Sequence, residues 1–170
     1  MSTFGDTGTS GSDAGFGNGE VQFKRFALSE AAAVSSMSVY GKSAGSVAGR
    51  MAIYTDASNS PDTLVWVSAQ GNFGTSNAWL TCNKYGVWSD LSAASYWLAL
   101  WTGGTGSFVY GGTTGPGWYD SGITYHATNN PPSPFDTGGA YNLDIRMYAT
   151  YTPTASGLLI PVAMHYRAQQ

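Results

Sequence analysis

The chain has one cysteine, little charge and no long apolar run. Lys, Arg, Asp and Glu make up 10% of its 170 residues, against roughly a quarter in an average soluble domain. A single cysteine, Cys82, excludes an intramolecular disulfide framework and a cysteine-rich zinc site. The basic residues are scattered, and only Lys24 and Arg25 are adjacent. Nucleic-acid binding needs a basic stripe and a membrane span needs about 18 apolar residues in a row, so neither partner is expected.

Groups that support catalysis or export are also few. His126 and His165 are the two histidines, and the sequence has no Gly-x-Ser-x-Gly motif that would accompany a serine hydrolase site. Glu20 and Glu30 are the two glutamates, a poor supply for the carboxylate pair of a glycosidase. The sequence therefore predicts a protein that is not an enzyme, with no catalytic residue, no cofactor and no resident metal. The N-terminus lacks the basic and apolar regions of a secretory signal. Synthesis in a cytoplasm is expected, with exit by another route, such as inside a released virus particle.

Aromatic residues, by contrast, reach 14% and occur in short alternating runs that end at Gly, Ser, Asn or Pro. The clearest runs are 95–101 and 142–152. In the second run one side is apolar throughout, with Leu143, Ile145, Met147, Ala149 and Tyr151. A period of two places alternate side chains on opposite faces of a strand, so that one face is core and the other is solvated. The pattern predicts an all-β fold.

Turn signals about every ten residues separate the predicted strands. The strands are expected at 21–28, 34–40, 47–54, 63–69, 79–82, 85–88, 95–101, 107–110 and 142–152. This order fits an antiparallel two-sheet β-sandwich, most simply a jelly roll. Three units are predicted: an N-terminal arm with six glycines at 1–19, which is flexible or becomes ordered on a partner, the sandwich at 20–153, and a C-terminal extension at 154–170.

The C-terminal extension is apolar after a flexible link at 154–157. An apolar terminal segment either docks on its own domain or reaches a neighbouring subunit. Low surface charge gives little repulsion between copies, which favours association. The sequence therefore predicts an assembly interface in this tail, made by Leu158, Leu159, Ile160, Val162, Met164 and Tyr166.

Two groups of residues invite a ligand. Asp56, Asn59 and Asp62 crowd one loop, but their spacing matches no calcium-loop signature and suits an ordinary turn, which we favour. Six tryptophans and eleven tyrosines allow stacking on carbohydrate, or they fill a β core and a protein interface. Trp118 and Tyr119, in a Gly- and Pro-rich region, are the predicted ligand-contacting aromatics.

Several short runs follow one another in a fixed order. They are 23–30, 34–40, 52–56, Pro61 with 64–65, 96–100, 134–135 and 148–151. In that order the chain resembles, over about residues 21–152, a jelly-roll β-sandwich module found in virion proteins of tailed bacteriophages and in some bacterial surface proteins.

The resemblance implies a non-enzymatic virion protein. The first expectation is a capsid decoration (cement) protein, a homotrimer that clamps the major capsid protein from outside and so stabilises the phage shell. The alternative is a carbohydrate-binding, lectin-like module of a tail fibre or bacterial surface protein, with a glycan as its ligand. The motifs mark strands and turns, and they carry no catalytic residue.

Overall fold

The computed structural model describes residues 1–42, 47–73, 77–111, 117–135, 138–141 and 144–154. Within these ranges the regular structure consists of strands, with no helix. The strands are β1 (Ser2–Gly5), β2 (Ser12–Phe16), β3 (Val21–Leu28), β4 (Ala32–Gly41), β5 (Ala48–Ala57), β6 (Ser60–Val67), β7 (Gly71–Asn72), β8 (Ala78–Asn83), β9 (Ala94–Thr102), β10 (Gly106–Gly111), β11 (Gly117–Asp120), β12 (Gly139–Tyr141), β13 (Asp144–Ile145) and β14 (Met147–Pro153).

The strands form two antiparallel sheets packed face to face. Sheet A has the order β1-β14-β4-β10-β13, with β2 added to β10 and β8 added to β4. Sheet B has the order β12-β11-β3-β9-β5-β6, with β7 added to β5. The predicted all-β sandwich of two antiparallel sheets is confirmed, whereas the jelly-roll topology stays a prediction.

The larger hydrophobic cluster lies between the sheets, because alternate residues of each sheet point towards the other. Its members include Met37, Val39 and Met147 from sheet A, and Met51, Ile53, Leu98 and Leu100 from sheet B. Burying a large apolar side chain stabilises the fold by about 1.5–3 kcal/mol. This cluster is therefore the main source of the stability of the sandwich.

A second hydrophobic cluster lies on the outer face of sheet B. It contains the residues of β5 and β9 that point away from sheet A, among them Ala52, Tyr54, Trp97, Ala99 and Trp101. Phe135, which is buried, belongs to the same cluster, and Ile123 and Tyr125 pack against it. The irregular segment 121–135 thus covers sheet B, whose central strands are buried on both faces.

Residues 1–19 are not the flexible arm that their composition predicts. β1 pairs with β14 and β2 pairs with β10, and Phe4 and Phe16 are buried in the larger cluster. Between these strands Arg146 forms an ion pair with Asp6 and donates two hydrogen bonds to the Ser10 carbonyl. Composition does not predict this ordered structure, because a short strand needs only the edge of a neighbouring strand to pair with and one side chain that anchors it in the core. Phe4 and Phe16 are these anchors.

The described chain ends at Thr154, whose amide donates a 2.9 Å hydrogen bond to the Ala31 carbonyl. Most of the predicted C-terminal extension, residues 155–170, lies outside the described residues. The predicted assembly residues from Leu158 to Tyr166 lie there too and stay a prediction.

Most predicted strands are present with shifted ends. The strand predicted at 85–88 is wrong, because these residues form a loop in which Gly86 has a φ of 81°. β11 lies in the region 111–139, for which the density of Gly and Pro predicts irregular structure, and β12 begins at the last residue of that region. In the last predicted strand the alternation from Ile145 to Tyr151 is confirmed by burial, but Arg146 separates β13 from β14.

Candidate functional site

The loop around Asp56 binds an arginine of its own chain. Ser58 and Asn59 form the two-residue turn between β5 and β6, with φ values of 55° and 67°, and such hairpin turns require positive φ. The Arg25 guanidinium donates to Asn59 Oδ1 and lies 2.9 Å from Asp56 Oδ2. The Trp97 indole N–H donates to Asp56 Oδ1 at 2.7 Å. The predicted turn is confirmed, and the oxygen atoms that calcium would use are bonded within the protein.

Trp118 and Tyr119 occupy adjacent positions of β11 and therefore point to opposite faces of sheet B. Trp118 packs edge-on against Trp97, with the ring centroids 6.4 Å apart. The Tyr119 hydroxyl donates to Glu20 Oε1 at 3.0 Å, and its ring lies 5.3 Å from that of Tyr141. Both side chains are half-buried. The structure does not bring them together into one surface on which a sugar could stack.

Hydrogen bonds from buried groups hold segment 121–135 over sheet B. Arg50 Nη1 donates to the Asn129 carbonyl at 2.8 Å, and the Tyr54 hydroxyl donates to the Pro132 carbonyl at 2.9 Å. The Ser133 hydroxyl accepts a backbone N–H of β6 at 3.0 Å. These bonds fix the cover in place over the outer face of sheet B.

Arg50 is an anchor of this cover. It is 1% exposed, its Nε donates to the Ser68 carbonyl at 2.9 Å, and its guanidinium lies 4.9 Å from the centre of the Tyr85 ring. Burial lowers the pKa of Arg50, whereas Tyr125 and Tyr85 act in the opposite direction. Carbonyl oxygens and an aromatic ring replace water around the charge. Arg50 therefore has a structural role, and it is not presented to a ligand.

Among the described residues, no segment lies over the outer face of sheet A in the way that 121–135 lies over sheet B. Thr81 and Asn83 on β8 are exposed, and Tyr40, Trp79 and Tyr148 are half-buried. The register sets these side chains in rows across neighbouring strands, with Tyr40 opposite Trp79. Side chains directly opposite each other on one face of an antiparallel pair are in contact distance. Strands β8, β4 and β14 therefore present one continuous surface.

Three rings on this surface form what we call the aromatic row: Tyr40, Trp79 and Tyr148. The ring centroids of Tyr40 and Trp79 are 5.2 Å apart at an interplanar angle of 74°, and those of Trp79 and Tyr148 are 4.7 Å apart at 67°. Such edge-to-face contacts are favourable and hold the rings fixed. They do not create a flat platform on which the face of a sugar could stack, but they do create a rigid, uneven apolar surface that suits contact with another protein.

Hydroxyl and amide groups continue the surface beside the aromatic row. Ser38 and Thr81, opposite each other on β4 and β8, share a hydrogen bond of 2.7 Å. Ser36 lies between Asn83 on one side and Thr150 on the other. None of these side chains is charged. Ser38 is buried, so Ser36, Thr81, Asn83 and Thr150 are the uncharged polar groups that this part of the face presents, and covering them carries no cost of desolvating ions.

One concave surface lies at the edge of the sandwich, and we call it the Trp88 groove. It encloses about 340 Å³ and is lined by Leu64, Val65, Trp88, Ser89, Asp90, Leu91, Ser92 and Tyr96. Leu64, Leu91 and Tyr96 are buried and form its floor, and Ser89, Asp90 and Ser92 are exposed at its rim. The volume is at the lower end of the range of ligand pockets.

The polar rim of the groove is partly occupied and partly open. The Tyr96 hydroxyl donates to the Ser92 carbonyl at 3.1 Å, and the Trp88 indole N–H donates to the Tyr85 carbonyl at 2.7 Å. With the described residues, by contrast, the Asp90 carboxylate makes no hydrogen bond or ion pair. The groove therefore offers an apolar floor beside one unpaired negative charge.

Groups for metal or covalent chemistry are sparse. In the described part of the chain no three His, Cys, Asp or Glu side chains lie close enough to hold a metal ion. Cys82 is a buried free thiol whose pKa is raised by burial, so the reactive thiolate is disfavoured. His126 is exposed in segment 121–135. Among the ranges that the structure covers, no helix has the length and apolar character needed to cross a membrane.

Comparison with known proteins adds no relative. No protein-family model matches the chain, and neither the curated proteins nor the solved structures contain a match. The outer face of sheet A and the Trp88 groove are therefore the two candidate functional surfaces.

Sequence reasoning missed both features. Alternation places Tyr148 on the solvated side of its strand, which its half-buried position bears out. The aromatic row is not visible in the sequence because its other rings come from β4 and β8, and strand order cannot be read from alternation. An aromatic residue at a solvated position of a strand was the available signal.

Proposed function

We propose that this chain is a non-enzymatic structural protein of a bacteriophage virion, a capsid decoration (cement) protein that stabilises the shell. The observation that carries the proposal is the aromatic row on the outer face of sheet A, beside which the described side chains of Ser36, Thr81 and Asn83 carry no charge. Aromatic enrichment and depletion of charge characterise the central parts of protein–protein interfaces. Sheet B is covered by segment 121–135, so assembly is directed to sheet A.

The resemblance over about residues 21–152 supports the finer parts of the proposal. It implies a jelly-roll sandwich, the virion as the location, the major capsid protein as partner and a homotrimer as the assembly. A chain with a net charge of −3 and few charged side chains has little electrostatic repulsion between copies. Many copies on one shell give avidity, so each contact can be weak on its own.

Quantitative mass spectrometry of purified particles, from the source that encodes the chain, tests the location. A copy number comparable to that of the major capsid protein is the expected result. A few copies per particle would instead indicate a tail or fibre position. Complete absence from the particles would overturn the virion proposal.

The surface itself is tested by Trp79→Ser. Trp79 contacts both other rings of the aromatic row, and loss of a central aromatic side chain typically costs an interface at least tenfold in affinity. We expect at least about tenfold lower incorporation into particles. Tyr141→Ser is the control, since Tyr141 is an exposed aromatic residue of sheet B. Equal incorporation of the two variants would exclude the aromatic row from the interface.

Carbohydrate binding is the second candidate function, and the Trp88 groove favours it. An aromatic wall, the Ser89 and Ser92 hydroxyls and the Asp90 carboxylate are groups that bind sugars. A glycan array with Asp90→Asn and Trp118→Ala variants tests it. Binding lost only in Asp90→Asn would locate the glycan in the groove, and binding lost only in Trp118→Ala would locate it at β11. No binding by the unmodified chain would exclude this function.

A further inference from the structure

The Trp88 groove lies close to the point where the described chain ends. Leu91, which lines the groove, forms a β-bridge with Ala32 through two backbone hydrogen bonds of 2.9 Å. Pro153 pairs with the same residue from the other edge of β4. Two strand spacings of about 4.8 Å each separate Pro153 from Leu91. The C-terminal segment therefore leaves the sandwich roughly 10 Å from one end of the groove.

The chemistry of that segment matches the groove. In an extended chain Leu158, Ile160, Val162 and Met164 point to one side, which suits the apolar floor. Residues 155–170 contain Arg167 and His165 and no acidic residue. The groove presents the unpaired Asp90 carboxylate at its rim. The apolar pattern and the charge of residues 155–170 are thus both complementary to the Trp88 groove.

We infer that the Trp88 groove binds the C-terminal segment of a second copy of this chain, with the apolar side of residues 158–164 on the groove floor and Arg167 beside Asp90. This inference rests on the proposed assembly function and names one contact between copies. The last described residues and the groove lie at the same end of the sandwich, so in the proposed homotrimer each copy can donate its C-terminal segment to the groove of the next copy. Each groove is then filled by the partner's tail, and the contact closes on itself.

The path within one chain is less favourable. From Thr154 to its own groove the tail would pass around the connection between β3 and β4, at residues 29–31, which occupies the same end of the sandwich. Residues 155–157 reach about 10 Å when fully extended, which equals the direct separation and leaves no length for that detour. Connections rarely cross one another at one edge of a sheet. A second copy reaches the groove without such a crossing.

Site-specific photocrosslinking of the full chain tests the inference. A photoreactive phenylalanine derivative replaces Tyr166, and the products are separated by denaturing mass and mapped by peptide mass spectrometry. We expect a product of twice the chain mass, linked to residues 64–65 or 88–96. The same derivative in place of Tyr141 is the matched control and should give no link to the groove.

A charge exchange tests the contact at Asp90. Asp90→Arg places like charges together and should raise the dissociation constant of self-association, measured by sedimentation, about five- to tenfold. Arg167→Asp in the same chain should restore the affinity. Asp90 is exposed and unpaired with the described residues, so folding is preserved, and circular dichroism checks this.

Three results would overturn the inference: a crosslink within one chain, a crosslink outside the groove, or no self-association of the full chain. A glycan that binds the groove and leaves self-association unchanged would overturn it as well. All of these measurements use purified chain without particles. Failure of the inference is therefore distinct from failure of the virion proposal, which depends on copy number in particles.

Discussion

Tyr54 shows how a single side chain joins the outer layer to sheet B. Its ring packs edge-on against Phe23 and Phe135, with centroid distances of 5.4 and 5.8 Å. Its hydroxyl donates to the Pro132 carbonyl. Burial raises the pKa of Tyr54 far above its usual value, because the phenolate would lose its hydration without gaining a counter-charge. The folded protein therefore keeps this proton at pH values where the unfolded chain releases it.

The pH dependence of stability follows from this proton. A tyrosine in the unfolded chain ionises near pH 10, so the contribution of Tyr54 is complete below that pH and is lost as the pH rises. Tyr54→Phe should cost about 1 kcal/mol at pH 8 through the lost hydrogen bond. The stability advantage of the Tyr54 protein should fall by about 1.4 kcal/mol between pH 9 and pH 11, so that Tyr54→Phe becomes the slightly more stable protein at pH 11. Urea unfolding of both proteins at these pH values measures it, and parallel pH curves would contradict it.

The position of Tyr54 could not be predicted from the sequence. Alternation in β5 correctly predicts that Met51 and Ile53 share one face, and it predicts that Arg50 and Tyr54 share the other. Residues on that second face are also buried, because segment 121–135 lies over them. Local alternation reports which side chains share a face, but a cover that comes from a distant part of the chain leaves no local trace.

Segment 121–135 acts as a structural element, although it has no regular secondary structure. Phe135 is its apolar anchor, 4% exposed and 4.5 Å from the ring centroid of Phe23. Phe135→Ala should lower the free energy of unfolding by about 3–5 kcal/mol, because a cavity opens in the second cluster. Thr128→Ala, at an exposed position of the same segment, should change it by less than about 0.5 kcal/mol. Denaturant unfolding compares them, and equal effects would mean that the segment does not stabilise sheet B.

The elements that the sequence predicts well are those with both strong alternation and β-branched or aromatic residues. β3 is present at the predicted residues, Val21–Leu28, and β9 extends the prediction by one residue at each end. The sequence does not predict β1, because Phe4 is the one apolar anchor of this strand and Gly5 ends it. Gly5 has a φ of 125°, and a Cβ there would lie 2.5 Å from the Met147 carbonyl oxygen. The glycine that suggests flexibility is thus needed for the close approach of β1 to β14.

The described part of the molecule is asymmetric: segment 121–135 covers sheet B, and no described segment covers the outer face of sheet A. Among the described residues, Tyr151 is the last member of the larger cluster and Phe135 the last of the second. The first nineteen residues contribute Phe4 and Phe16 to the larger cluster and bind Arg146 through Asp6. The N-terminal residues therefore stabilise the sandwich, and we predict that residues 155–170 do not, although composition alone predicts that both termini are appendages.

Deletion of one terminus at a time tests this difference. Removal of residues 1–19 takes away two strands and two buried phenylalanines, which should cost more than about 5 kcal/mol, comparable to the whole stability of a typical domain. Removal of residues 155–170 should leave the free energy of unfolding of the isolated chain unchanged within about 0.5 kcal/mol and weaken self-association. Denaturant unfolding at low protein concentration, with sedimentation at higher concentration, separates the two effects. A stable, folded chain without residues 1–19 would support the prediction that these residues are a flexible arm. Unchanged association without residues 155–170 would show that the tail is not part of the assembly contact.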